Sequence, residues 1–215
     1  MCGRYSLATD IVELANRFGF QDQIHSPTRF NIAPTQESLT VISTGSLRHA
    51  EYMTWGFIPS WTKNTPTNNR IVNARAETIS VSPVFRKAYE KRRCLILADG
   101  FYEWYKVGKN SMPMRFILKS GKPFAFAGLW QTFKSPENTI MKSCTIITTT
   151  ANEIIEPIHN RMPVILTHKS ENLWLHSRRG ETDILSELLV PYSAAEMDAY
   201  EVSDLVNSPR NDTPD

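Results

Sequence analysis

The chain has 215 residues, 41% of them hydrophobic and 21% charged, with 24 Lys and Arg against 22 Asp and Glu for a formal net charge of +2. That length suits one domain with a sizeable core, and so small a net charge does not by itself announce a nucleic-acid binder. No apolar run approaches the roughly 18 residues that a membrane span needs, and the start has no basic segment leading into an apolar one, so a cytoplasmic protein with no membrane partner is expected.

In chain order, Thr9 or Asp10 can cap a helix over Ile11–Phe18, with Ile11, Leu14, Ala15 and Phe18 at helical spacing and Gly19 as the stop. RFNIAPTQ (29–36) reads as extended because Pro34 restricts the residue before it. LTVIS (39–43) and EYMTWGF (51–57) read as strands joined by a turn at Gly45 and Ser46. Residues 59–69, rich in Pro, Thr and Asn, form a loop whose Trp61 either stacks on an unpaired base or anchors the loop in the core.

Ser82 and Pro83 open a second helix through Lys91, and CLILA (94–98) is a buried strand. Asp99 and Gly100 signal a hairpin into FYEWY (101–105). Strands follow at 115–118, 124–130, 144–150 and 163–166, and short helices at 169–176, 183–189 and 193–199, the last with a Ser193/Glu196 capping box. The tail from Asn207 is polar and contains two prolines, and disorder is expected there. Few stretches between strands can hold a crossover helix. The expected fold is therefore α+β: a single domain over residues 1–206 with a mostly antiparallel, barrel-like β core, flanking helices, and a tail at 207–215.

Cys2, Cys94 and Cys144 are an odd number at wide separations, which does not make a disulfide framework; the latter two enter apolar runs and read as core. The histidines show no paired spacing, so neither a metal site nor a cofactor is expected. Arg70, Arg75, Arg86, Lys87, Lys91, Arg92 and Arg93 fall in one quarter of the chain, as a basic patch or, over 86–93, as a solvated helix face.

The most informative stretch is Met1-Cys2-Gly3-Arg4. Initiator methionine is normally removed before a side chain as small as cysteine, which leaves a thiol and a free α-amine on one carbon. Such an amine has a pKa of roughly 7.7 to 8.0 against roughly 10.4 for lysine, and so is far more often nucleophilic near neutral pH. It condenses with an aldehyde, and the thiol already in place closes the imine into a thiazolidine. Gly3 permits close backbone approach and Arg4 supplies a planar fork for phosphate, which together suggest a sugar-phosphate aldehyde. Taken alone, Cys2 also reads as an idle terminal residue.

In FYEWY, alternation puts Phe101, Glu103 and Tyr105 on one face and Tyr102 and Trp104 on the other. Glu103 is then either a desolvated general acid and base or an edge residue pointing to water. NARAET (73–78) would align Asn73, Arg75 and Glu77 on one face if extended, and IHNRMP (158–163) offers His159, as proton shuttle or structural residue, beside Arg161.

With MCGRY (1–5), RFNIAPTQ, WGFIPSW (55–61), NARAET, LADGFYEW (97–104), FAGLW (126–130), TIITTTAN (145–152), IHNRMPVIL (158–166) and VSDLVNSP (202–209), the chain closely resembles the SRAP (SOS response-associated peptidase) family of abasic-site processing proteins. The resemblance implies a self-reacting enzyme with lyase-like chemistry. Cys2, once Met1 is gone, would form a thiazolidine with an abasic site in single-stranded DNA. Asn73, Glu103 and His159 would surround Cys2, with Asn73 holding the N-terminus, Glu103 moving protons and His159 assisting sugar ring opening. Arg4, Arg75 and Arg161 would hold phosphates, Trp55 and Trp61 would contact bases or the sugar backbone, and Gly3, Asn31 and Gly56 would complete the DNA-binding set. The protein would be a monomer that joins the nucleoid when bound to DNA. The alternatives are a cysteine peptidase or autopeptidase with Cys2 as nucleophile, and a non-covalent single-strand binder.

Overall fold

The computed structural model describes residues 2–59, 61–62, 70–108, 110–134, 139–177 and 181–214. A short strand β1 (Tyr5–Leu7) leads into helix α1 (Ile11–Phe18), as the sequence predicts. The Asp10 carboxylate accepts the Val12 N–H at 2.8 Å, and Gly19 closes the helix at φ 72° with its own N–H on the Ala15 carbonyl. Leu14 and Phe18 are the residues this helix buries.

Next come β2 (Arg29–Ile32), β3 (Glu37–Thr44), β4 (Leu47–Trp55), β5 (Asn73–Arg75), helix α2 (Arg86–Lys91), β6 (Arg93–Ala98) and β7 (Gly100–Val107). They are followed by β8 (Asn110–Leu118), β9 (Phe124–Lys134), β10 (Ile140–Thr150), β11 (Arg161–Pro163), β12 (Ile165–Leu166), α3 (His168–His176), α4 (Thr182–Glu187) and β13 (Met197–Glu201). Five strands in the order β10-β4-β3-β6-β9 close into a barrel because β9 pairs back onto β10 over Ile140–Ile146. Of these joints only β10 with β4 is parallel, at Ser143 with Thr54 and Cys144 with Trp55. β5 extends the sheet in parallel alongside β10. The expected α+β class with a mostly antiparallel barrel is the one observed.

A second sheet, in the order β13-β8-β7-β1-β2, is antiparallel throughout. Aromatic rings join it to the barrel, edge to face: Phe101 meets Phe126 at 6.1 Å, and Tyr5 meets Trp55 at 5.2 Å and Phe126 at 5.7 Å. Each such pair adds about 1 kcal/mol beyond the area it buries. This seam fixes β1, and with it the start of the chain, against the barrel.

Several elements differ from expectation. Helix α2 begins at Arg86, not Ser82; Ser82 receives the Arg86 N–H on its backbone carbonyl while residues 83–85 are turns. Asp99 and Gly100 do not make a hairpin, since β6 belongs to the barrel and β7 to the second sheet. The Asp99 carboxylate instead gathers Ser6 Oγ, the Ala8 and Thr9 N–H groups and Arg115, a corner brace that satisfies backbone donors at the end of β1. Residues 193–199 hold only a 3₁₀ turn at Ala194–Glu196, without a side-chain cap, before β13 adds to β8. Backbone pairing along β8 outweighs the weak helical signal there.

Glu77 sits in a 3₁₀ turn, Ala76–Thr78, beyond the strand that holds Asn73 and Arg75. Arg93 is buried and donates to the carbonyls of Trp174, Tyr89, Glu90 and Ser177, so it ties α2 to α3 and belongs to no basic surface. The tail expected to be disordered instead lies against β2, where the Asp212 carboxylate accepts the Phe30 and Asn31 N–H groups at 2.5 and 2.8 Å. The loop expected over 59–69 falls mostly outside the described residues. Among the described residues no helix is long and apolar enough to cross a membrane.

Candidate active site

The strand register delivers the first residues to the seam between the sheets. Tyr5 pairs with Phe101 and Ser6 with Gly100, and the Tyr102 N–H donates to the Arg4 carbonyl at 3.0 Å. Carried toward the start, the same register sets Gly3 across from Glu103. Cys2 is wholly buried, with its Sγ 3.9 Å from the Arg4 carbonyl.

Asn73 arrives from the barrel side, where β5 lies on β10 with Asn73 opposite Ile146. Its Nδ2 donates to the Cys2 carbonyl at 2.9 Å. Its Oδ1 is buried and, among the described residues, has no hydrogen-bond partner, an acceptor left open beside the first residues of the chain.

Glu103 is only 6% exposed, so it is the desolvated carboxyl of the two readings and not the edge one. Burial raises its pKa above the usual carboxylate range, with the neighbouring His159 pulling the other way. Burial, and then the Glu103 charge, also pushes the Cys2 thiol far up, so the sulfur is held protonated at neutral pH. His159 lies in the turn after β10, where its Nδ1 is 2.9 Å from the Arg161 N–H. A backbone N–H only donates, so Nδ1 accepts and the neutral ring carries its hydrogen on Nε2. Asn152 builds that turn: its Oδ1 accepts the Ile155 N–H, its Nδ2 reaches the Tyr192 carbonyl, and the His159 N–H then closes on the Ile155 carbonyl. The TIITTTAN motif contains Asn152, but composition and spacing give no sign of this role.

Cys2, Asn73, Glu103 and His159 are thus brought together. The expected DNA contacts divide. Arg75 is exposed on β5, with its charge near Glu77. Trp61 is 59% exposed in a shallow cleft with Val84, Lys87 and Arg92, open to stacking. Arg161 has its fork occupied by the Glu77 carboxylate and the Thr148 carbonyl, and this bonding holds Glu77 below the usual carboxylate range. Arg4 is turned to protein, donating to Asn31 Oδ1 at 2.7 Å and the Val206 carbonyl at 2.5 Å, with its guanidinium over Trp104.

Three residues expected at the DNA, Trp55, Asn31 and Gly56, are buried. Trp55 packs in the core with its Nε1 on the Val72 carbonyl, so it presents no face to a base. Asn31 is 1% exposed, and its Nδ2 reaches the carbonyls of Val206, Ser208 and Asn211; both side chains find better partners inside than a strand could offer. Gly56 adopts φ 132°, and a Cβ there would lie 2.9 Å from the Arg70 Cβ, so this position needs glycine for backbone reasons. Cys94 and Cys144 are buried, their thiols raised by burial, Cys144 to about 12. Among the described residues no group of acidic, His and Cys side chains could hold a metal ion.

Comparison with known proteins is consistent across sequence and structure. Residues 1–209 match the family described as SOS response associated peptidase (SRAP). The chain is 46% identical to the abasic site processing protein YoqW of Bacillus subtilis, covering 100% of this chain and 98% of that protein. It is 42% identical to YoaM of the same organism, also an abasic site processing protein, over 99% and 96% of the two chains. A crystal structure of a protein from Bacteroides thetaiotaomicron superposes with a TM-score of 0.89 at 27% identity, covering 97% and 96% of the two chains.

Proposed function

Because this chain belongs to the SOS response associated peptidase family, we propose that it processes abasic sites in single-stranded DNA by capturing them covalently on Cys2. Removal of Met1 frees the α-amine on the same carbon as the thiol. The amine adds to the aldehyde of the ring-opened deoxyribose, and loss of one water gives an imine. The Cys2 sulfur then adds to the imine carbon and its proton passes to the nitrogen, closing a thiazolidine. The sum is one aldehyde, one amine and one thiol joined with loss of one water, without oxidation or reduction.

The order of events follows from the surroundings. A thiol held protonated by burial is a poor first nucleophile, whereas an α-amine near pKa 8 is a good one. Glu103, raised by burial, is matched to give a proton to the departing water and to take one from the thiol. Asn73 Oδ1 is placed to accept from the freed amine while Nδ2 fixes the Cys2 carbonyl. His159 lies beside Glu103, and its Nε2–H suits the sugar oxygen as the ring opens. Arg75 meets a flanking phosphate and Trp61 stacks on a neighbouring base. The peptidase reading needs a sulfur that ionises easily, which this burial opposes.

The observation that carries the proposal is the convergence of a buried Cys2 with Glu103 and with the half-satisfied amide of Asn73. The test incubates the protein with single-stranded DNA holding one abasic site, then heats it in detergent. A retarded band is expected from the wild type and none from Cys2→Ala. An unchanged band from Cys2→Ala, or from protein shown by mass to retain Met1, refutes it.

A further inference from the structure

We propose that residues 203–212 form a strap that positions the reacting groups from behind, with Asn31, Asn207 and Asp212 as positioning residues; the inference rests on the capture reading above. The strap crosses the outer face of the second sheet and is tied to both strands that carry the site. Arg4, two residues beyond Cys2, donates to the Val206 carbonyl at 2.5 Å. Trp104, next to Glu103, donates through Nε1 to Asn207 Oδ1 at 2.6 Å. Asn31 binds three strap carbonyls through Nδ2 and accepts from Arg4, so one amide joins β1, β2 and the strap. Asp212 pins the far end on the Phe30 and Asn31 N–H groups and on Arg29.

These ties are polar, and apolar packing beneath them is incomplete. A cavity of about 300 Å³ lined by Tyr102, Arg115 and Val206 lies under the strap, and Leu205 is half exposed. The strap is therefore a separable element held by a few hydrogen bonds, and its release frees Arg4 and Trp104 together. Ring closure on Cys2 is sensitive to placement, since a misplacement of about 1 Å costs on the order of a hundredfold in rate.

The test uses the full chain as wild type, Asp212→Ala, Asp212→Asn and Asn207→Ala. One readout, without DNA, is iodoacetamide labelling of each cysteine, mapped by peptide. Another is the capture rate at saturating abasic DNA set against the DNA concentration giving half that rate. With Asp212→Ala, Cys2 labelling rises about tenfold while Cys94 and Cys144 stay protected, the saturating rate falls about tenfold, and half-saturation does not move. Asn207→Ala moves the same quantities in the same direction by less. Asp212→Asn, which keeps an acceptor for both backbone N–H groups, stays near wild type. Unchanged Cys2 labelling in both alanine variants overturns the proposal, as does a rise shared by all three cysteines, which marks general loosening. A wild type that captures nothing, with Cys2 labelling that still answers to Asp212→Ala, defeats the capture reading and leaves the strap standing.

Discussion

Replacing Glu103 by glutamine removes one ionisable oxygen while keeping the shape of a side chain only 6% exposed. A positioned general acid and base contributes roughly 10² to 10⁴ in rate, and in the proposed capture Glu103 serves both the loss of water and the thiol transfer. Glu103→Gln is therefore expected to slow capture by at least about a hundredfold, read as single-turnover band shift on abasic DNA. The same change has a stability signature whose sign follows from burial. The folded state holds the Glu103 proton more tightly than the unfolded chain does. Native stability is thus lost as pH rises from the unfolded carboxyl value through the raised folded one, at about 1.4 kcal/mol for each tenfold difference in proton affinity. Glutamine cannot ionise, so the variant is expected to melt higher than wild type at pH 8 and to match it near pH 4. A variant that captures DNA within about threefold of wild type from pH 5 to 9, or that melts lower at pH 8, refutes the role given to this carboxyl.

Cys2→Ala keeps the α-amine, so it should give no heat-stable band yet yield one when borohydride reduces the imine; absence of the reduced band removes the amine-first order. Trp61→Ala should leave the melting temperature unchanged, because the ring is largely exposed, and should weaken single-strand binding about tenfold, by fluorescence anisotropy, as expected for loss of one stacked base. Trp55→Ala should cost about 3 to 5 kcal/mol, a fall on the order of 10 °C in a thermal melt, whereas Trp55→Phe should fold and bind DNA normally. Loss of DNA affinity by a well-folded Trp55→Phe would contradict the core assignment. Gly56→Ala should lower stability by about 2 kcal/mol through the combined backbone strain and the Arg70 contact, measurable by urea unfolding.

Local signals in the sequence were reliable where one segment could satisfy itself. Asp10, Leu14, Phe18 and Gly19 contain their own start, face and stop, and α1 forms over the residues they bound. Five of the six buried residues of β6 were readable from the CLILA run; the sixth, Arg93, was not. Signals failed where a distant partner decided the outcome. Asp99 and Gly100 announce a change of direction but not that the chain leaves one sheet for another, and of the residues gathered by Asp99, Ser6, Ala8 and Thr9 lie some 90 positions earlier. The capping pattern at Ser193 lost to the free edge of β8. At the site, residue type suggested chemistry but not orientation. Asn31 and Arg4 are as polar as Asn73 and Arg75, yet they face residues 206–211, and only the fold separates them from the amide that meets Cys2.

The place of β1 between β2 and β7 bears on when a leading methionine can be removed. In the finished fold Cys2 has no exposed surface, and β1 is flanked by β2 and by β7. A ribbon of β1 and β2 alone is marginal in water, so lasting structure at the beginning of the polypeptide waits for residues 100–107 to be made. At the roughly 5 to 20 residues per second of ribosomal synthesis, the leading residues trail as an open leash for several seconds. Aminopeptidase trimming is expected to be easiest at that moment, before β1 is enclosed, and the capture proposed above depends on it.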